Sequence, residues 1–226
     1  MSLAFYSLFS GRITLNMNEH APTSISDRLI FVWLFIFFLV LLWSGISPHD
    51  RFTWILEVFP AILGLGILIT TYKQFQFTKL AYWLMLVHAI ILMIGGHYTY
   101  AEVPLFNWIR DTFNLGRNHY DKVGHFAQGF IPAIIVREIL IRKSPIKHGK
   151  WLSFMVICVS LALSATYEFF EWWISEITGT AAEAFLGTQG YVWDTQSDMF
   201  MALLGAITAL SLLSRAHDKA LSSKNK

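Results

Sequence analysis

Three stretches of the chain pair ionisable side chains at spacings that place both members on one face of a helix. The pairs are Asp121 with His125, Glu168 with Glu171, and Asp194 with Asp198. Two carboxylates one helical turn apart repel each other in a low-dielectric setting unless a cation, a proton or a basic partner lies between them. We therefore predict a metal site formed by these six residues. Because an imidazole accompanies the acids, zinc, manganese or iron is the expected class of divalent ion.

Other polar residues near these pairs are candidates for catalysis and substrate binding. We predict that His119 and His97 move protons, and that Arg117 and Lys122 hold an anionic head group. Glu57 adds a further acid to the same region. The loop Gly187-Thr188-Gln189-Gly190 offers backbone amides that can cradle an anion.

A second interpretation of the same residues stays open. The acids of the pairs are equally suited to capping helix ends in the wet interfacial zone, where they would pair with Arg110, Arg117 or Lys122. Arg137 and Glu138, near the end of an apolar block, are typical of charges that snorkel toward water.

The composition indicates what kind of elements position these residues. Of 226 residues, 55% are apolar and only 14% are charged. Ordinary soluble domains contain roughly 25% charged residues. A water-soluble domain is thereby excluded, as are a disordered chain and a secreted fold held by disulfides, because Cys158 is the single cysteine. A formal net charge of +2 gives no indication of nucleic-acid binding.

The apolar residues form six blocks, and each is close to the length of about 20 residues that crosses a bilayer as a helix. The predicted spans are Leu29–Ile46, Phe52–Tyr72, Leu80–Gly96, Val123–Ile141, Trp151–Trp173 and Tyr191–Leu213. The expected fold is all-α, a polytopic bundle of about six transmembrane helices. We expect a cytoplasmic segment over 1–28, a single transmembrane domain over 29–213 and a basic cytoplasmic tail over 214–226.

The Lys and Arg residues predict the orientation of this bundle, since cytoplasmic loops carry an excess of them. With the amino end inside, twelve lie on the inner side and only three, Arg51, Arg110 and Arg117, lie outside. Both termini are therefore predicted to be cytoplasmic. All of the paired acids then fall at the outer ends of helices.

Several sequence blocks, in order, resemble the YjdF family of small bacterial inner-membrane proteins. They are Gly96-His97-Tyr98-Thr99-Tyr100, the run from Asn118 to Phe126, the Glu168 and Glu171 pair, and the run from Gly187 to Met199. The resemblance covers nearly the whole chain after about residue 25 and implies a multi-pass location in the bacterial inner membrane. The element Asp121-Lys122-x-x-His125-Phe126 is also similar to a short motif of VanZ-like membrane proteins, which are linked to glycopeptide resistance.

Three functions remain open from the sequence. The first is a metal-assisted hydrolase or transferase that acts on a lipid-linked or phosphorylated substrate at the outer face. The second is an ion-coupled transporter, and the third is a structural or resistance-type protein whose acids and histidines bind only each other. The expected partners are the lipid bilayer and a lipid-linked or anionic substrate, without nucleic acid.

Overall fold

The computed structural model describes residues 26–179, 185 and 188–223, and in these residues the chain is all-helical. Seven helices follow one another without a strand among the described residues. They are α1 (Asp27–Gly45), α2 (Arg51–Thr71), α3 (Lys79–Tyr98), α4 (Pro104–Thr112), α5 (Tyr120–Lys143), α6 (Lys150–Thr178) and α7 (Asp194–Ser223).

All helices except α4 are long and apolar enough to cross a membrane, which confirms the six predicted spans. They alternate in direction along the chain, so α1, α3 and α6 end where α2, α5 and α7 begin. We call this end of the bundle the site end and the opposite one the far end. Helices α3, α5 and α6 extend beyond the predicted spans at both ends, because turns of polar residues continue a helix that hydropathy alone would stop. Helix α7 begins three residues after the predicted Tyr191 and continues ten residues past the predicted Leu213.

The short helix α4 occupies the long connection between α3 and α5 and was not predicted. Its sequence is amphipathic, with Leu105 and Trp108 exposed on one side. On the other side Phe106 packs edge-on against Tyr120, at 5.3 Å between ring centroids. The helix is thereby held against the first turn of α5.

The six long helices pack as two groups of three that meet along α3 and α5. In the first group α3 lies against α1 and α2, and in the second group α5, α6 and α7 all contact one another. Helices α3 and α5 form the main contact between the groups.

The closest packing joins α5 to α7, and it depends on small residues. A Cβ atom on Gly129 would overlap the backbone of Ala202, and one on Gly205 would overlap the backbone of Phe126. Small side chains let two membrane helices approach until their backbones touch. This contact brings the first turns of α5 and α7, which carry the predicted site residues, side by side.

Candidate functional site

Three of the predicted ligands meet at the site end between α5 and α7. The Nε2 atom of His125 lies 3.3 Å from Oδ1 of Asp121 and 3.9 Å from Oδ1 of Asp198. One ligand atom from each residue lies within 4.8 Å of the other two, and all three side chains are buried. A buried group of two carboxylates and one imidazole is a donor set that suits a transition-metal ion.

Glu168 of α6 faces the same imidazole from the other side. Its Oε1 atom lies 3.6 Å from Nδ1 of His125, and only 6% of the residue is exposed. This oxygen has no hydrogen-bond partner among the described residues. Glu171, one turn further along α6, lines a cavity on the same side of His125. An unsatisfied buried carboxylate oxygen is costly, and a bound cation or proton would remove that cost.

The remaining predicted ligand, Asp194, is engaged by cations instead. Its Oδ1 atom accepts hydrogen bonds from Arg117 at 2.7 Å and from Lys122 at 2.9 Å. Lys122 also donates to Oδ1 of Asp198 at 2.6 Å, and Arg117 lies 3.4 Å from Oδ2 of Asp121. The two predicted head-group cations therefore lie directly beside the three-ligand group, where they neutralise part of its charge.

A loop before α7 covers these cations at the end of the bundle. Arg117 donates to the carbonyl oxygen of Thr188 at 3.1 Å, and the amide of Gln189 pairs with both backbone groups of Asn118. The Tyr191 ring lies 5.7 Å from the Arg117 guanidinium. Gly187 lies outside the described residues, so the predicted amide cradle stays a prediction.

A polar cavity of about 70 Å³ adjoins the three-ligand group and extends along the bundle toward His88 of α3. Buried Glu57 of α2 lines it, and the Tyr167 hydroxyl donates to Oε2 of Glu57 at 3.2 Å. Gln128 also lines the cavity, with its Oε1 atom 3.1 Å from Nδ1 of His125. A cavity of this size with several polar groups is large enough for a few water molecules.

The two predicted proton-carrying histidines lie in different places. His97 lies at the end of α3 and packs against the end of α1, with its Nδ1 atom 2.9 Å from the carbonyl oxygen of Ser44 and its ring stacked on Trp43. No contact joins it to the three-ligand group within the described chain. His119 immediately precedes α5 and is half-buried. Partial burial, together with the charges of Arg117 and Lys122, lowers the pKa of His119, so its imidazole is neutral at pH 7.

A second buried polar cluster lies at the far end and was not predicted from the sequence. Glu138 is fully buried and accepts hydrogen bonds from Thr78, from Arg142 at 2.8 Å and from His217 at 3.1 Å. Arg137 binds His217 at 2.9 Å. The prediction that Arg137 and Glu138 snorkel toward water is wrong, because both side chains are buried. Their partners include His217 of α7 for both and Thr78, just before α3, for Glu138.

Two further site residues were not predicted, although their helical spacing from predicted ligands would have indicated them. Tyr167 lies four residues before Glu171, and Gln128 lies three residues after His125, so each shares a helix face with a predicted ligand. Tyr100 also lines the cavity, and its ring fills the space that a side chain on Gly124 would occupy. No sequence spacing links Tyr100 to α5, since the two are joined through the connection that contains α4.

Comparisons with known proteins agree on a membrane location. A family model described as "Predicted membrane protein (DUF2238)" matches residues 29–219. The inner membrane protein YjdF of Escherichia coli (strain K12) is 50% identical over 183 residues, which cover 81% of this chain and 88% of that protein. No solved structure matches the chain significantly.

Proposed function

This chain belongs to the DUF2238 family of membrane proteins. We propose that it is a multi-pass inner-membrane metalloenzyme. Its site would use a divalent cation bound by Asp121, His125 and Asp198 to hydrolyse or transfer a phosphoryl or acyl group of a lipid-linked substrate. The observation that carries the proposal is the convergence of these three buried ligand atoms within 4.8 Å. Glu168, whose unpartnered oxygen faces His125, is positioned to join them.

The charge around the site supports a bound cation. Six carboxylates lie in the three-ligand group, beside it or along its cavity, whereas the permanent cations there are Arg117 and Lys122. His125 is the only imidazole in direct contact with these acids among the described residues. The acids are Glu57, Asp121, Glu168, Glu171, Asp194 and Asp198. Buried carboxylates in such excess are stabilised by a divalent ion or by protons.

The proposed chemistry assigns a role to each flanking residue. A divalent ion held by Asp121, His125 and Asp198 would polarise a phosphoryl or acyl oxygen and would lower the pKa of a bound water. His119, which is neutral at pH 7 because its pKa is lowered, accepts a proton. Arg117 and Lys122 supply positive charge to an anionic group.

We further propose that the site end faces the outside and that both termini are cytoplasmic. The excess of Lys and Arg in the loops of the far end supports this orientation. A reporter enzyme that is active only in the periplasm tests it when fused to the carboxyl end. The fusion is expected to be inactive, and an active fusion would place the site on the cytoplasmic side.

Metal analysis of the purified protein, prepared without chelator, tests the proposed function. We expect about one zinc, manganese or iron ion per chain in the wild type. The expected ratio falls strongly in Asp121→Asn and Asp198→Asn. Glu102→Gln removes an exposed acid near the site end and serves as the matched control. A wild-type protein that binds no metal at a fixed ratio, even after zinc or manganese is added, would overturn the proposal.

Ion-coupled transport is a second candidate, favoured by the depth of the cavity. The cavity reaches His88, which lies near the middle of α3. Beyond it, apolar residues that include Ile134, Val156 and Ala206 separate the cavity from the far-end cluster. Flux of a divalent ion in proteoliposomes, abolished by Glu57→Gln, would favour transport over the enzyme.

A further inference from the structure

The cavity beside the site lies in a furrow between the two helix groups. Residues of α3 and α5 line its floor, and residues of α2 and α6 line its two walls. Helix α2 packs on α3, and α6 packs on α5 and α7, but α2 and α6 share no extended packing surface within the described helices. The hydrogen bond from Tyr167 to Glu57 spans the furrow from wall to wall.

Among the described residues, the connection before α7 covers the site at the end of the bundle. Above the three-ligand group, Thr188 and Gln189 bind the segment that begins α5, and the Tyr191 ring lies over Arg117 and Lys122. Between the walls, by contrast, the described helices leave a seam that faces the bilayer. Phe59 on α2 and Leu163 on α6 expose about half of their surface on the outside of these walls.

The depth of the furrow suits a lipid head group. Glu57 lies six residues after the start of α2. At a rise of about 1.5 Å per residue, this places it ~9 Å from the site end. The hydrocarbon core is ~30 Å thick. Because each leaflet contributes about half of this thickness, the head group of a lipid in the adjacent leaflet reaches Glu57 only if it moves inward by ~9 Å between α2 and α6.

Both walls of the furrow carry an acid, and the nearest cations lie behind Asp121, outside the cavity. Glu57 and Glu171 line the cavity, and Tyr167 gives Glu57 a neutral hydrogen bond rather than a charged one. Arg117 and Lys122 lie on the other side of Asp121, where both contact its Oδ2 atom. A head group that carries both an amine and a phosphate matches this arrangement, with the amine toward the acids and the phosphate toward the cations.

We propose that an amine-bearing phospholipid enters the site sideways from the bilayer, between α2 and α6, and that the bond from Tyr167 to Glu57 closes this entrance. The inference rests on the proposed function for the reaction, and it names the substrate class. The entrance explains how a site covered at the end of the bundle receives a substrate.

Photo-crosslinking in vesicles tests the entrance. The probes are phosphatidylethanolamine and phosphatidylglycerol, each with a diazirine next to its head group, in vesicles that contain the wild-type protein. We expect adducts on peptides containing His88 and Gln128, which line the cavity. Both residues lie deeper in the membrane than the head groups of the lipids that surround the bundle. Phosphatidylethanolamine is expected to give several-fold more adduct than phosphatidylglycerol.

Variants of the floor and the closing bond sharpen the test. Leu92→Trp fills the cavity and is expected to reduce the cavity adducts several-fold, whereas Val87→Trp, on the exposed face of the same helix, leaves them unchanged. Tyr167→Phe removes the closing bond and is expected to increase them.

The outcomes separate this inference from the proposed function. Adducts confined to helix ends, or equal yields from the two lipids, would overturn sideways entry of an aminophospholipid, even if the protein binds metal. Cavity adducts that favour phosphatidylethanolamine in a protein without metal would support the entrance and leave the metalloenzyme refuted.

Discussion

Replacement of Glu138 is expected to be among the most destabilising single changes in the far half of the bundle. The carboxylate is fully buried and accepts from four donor groups, namely the Thr78 backbone N–H, the Thr78 hydroxyl, the Arg142 guanidinium and the His217 imidazole. These donors belong to the start of α3, to α5 and to α7. Glu138 thus links α3, α5 and α7, which are distant from one another in sequence.

The size of the effect follows from what each variant leaves behind. Removing one partner of a buried ion pair costs about 3–5 kcal/mol, because the other charge stays buried without compensation, and we expect this for Glu138→Ala. Glu138→Gln keeps one good acceptor oxygen but turns an N–H group toward a donor. Its expected cost is about 2–3 kcal/mol, near that of one hydrogen bond to a charged group.

Thermal unfolding in detergent measures the difference. At about 2–4 °C per kcal/mol for a chain of this size, a cost of about 3–5 kcal/mol should lower the Tm of Glu138→Ala by about 6–20 °C. Asp218→Asn is the matched control, because Asp218 pairs with Arg137 at 2.7 Å in the same cluster but is 43% exposed. Because water reaches the Asp218 carboxylate and His217 also binds Arg137, the loss of Asp218 should cost less than the loss of the fully buried Glu138 carboxylate. Equal Tm values for Glu138→Gln and Asp218→Asn would refute the argument from burial.

Two further predictions concern helix packing and capping. Gly129→Ala should cost about 3 kcal/mol in unfolding free energy, because its Cβ would overlap the Ala202 backbone. Gly64→Ala, where a Cβ meets nothing, should be neutral or stabilising by about 1 kcal/mol, and equal effects of the two would contradict the packing. Asp50→Ala should cost about 1 kcal/mol at pH 7, because the Asp50 carboxylate accepts from the Thr53 backbone N–H at 2.7 Å, and this bond lowers the Asp50 pKa. Since that pKa is lowered by folding, the contribution is present above the unfolded pKa of about 3.9 and is lost as the pH falls through the lower folded value. A cost that persists below that value would argue against the charged cap, and Asp50→Asn is the control that keeps an acceptor.

The sequence predicted the six spans because hydropathy and span length are local properties of the chain. It also predicted that acids and histidines gather at one end, since alternating helices bring every second connection to the same side. The sequence did not predict which residues of that group contact one another. Asp198 meets His125, while Asp194, one turn earlier on the same helix, binds Arg117 and Lys122.

The far-end cluster illustrates the same limit. Glu138 lies near a helix end, where a snorkelling charge is typical, and its burial depends on Thr78 and His217, which are 60 and 79 residues away in sequence. Which charges pair is decided by distances between helices, and these follow from close packing such as that of Gly129 against Ala202. The sequence by itself determined that this protein resides in a membrane and that its paired acids fall at the same end of the bundle. Only the tertiary structure decided which of these residues contact one another. A shift of one helical turn along a helix, or a single Cβ atom between two packed helices, changes the partner that each side chain faces.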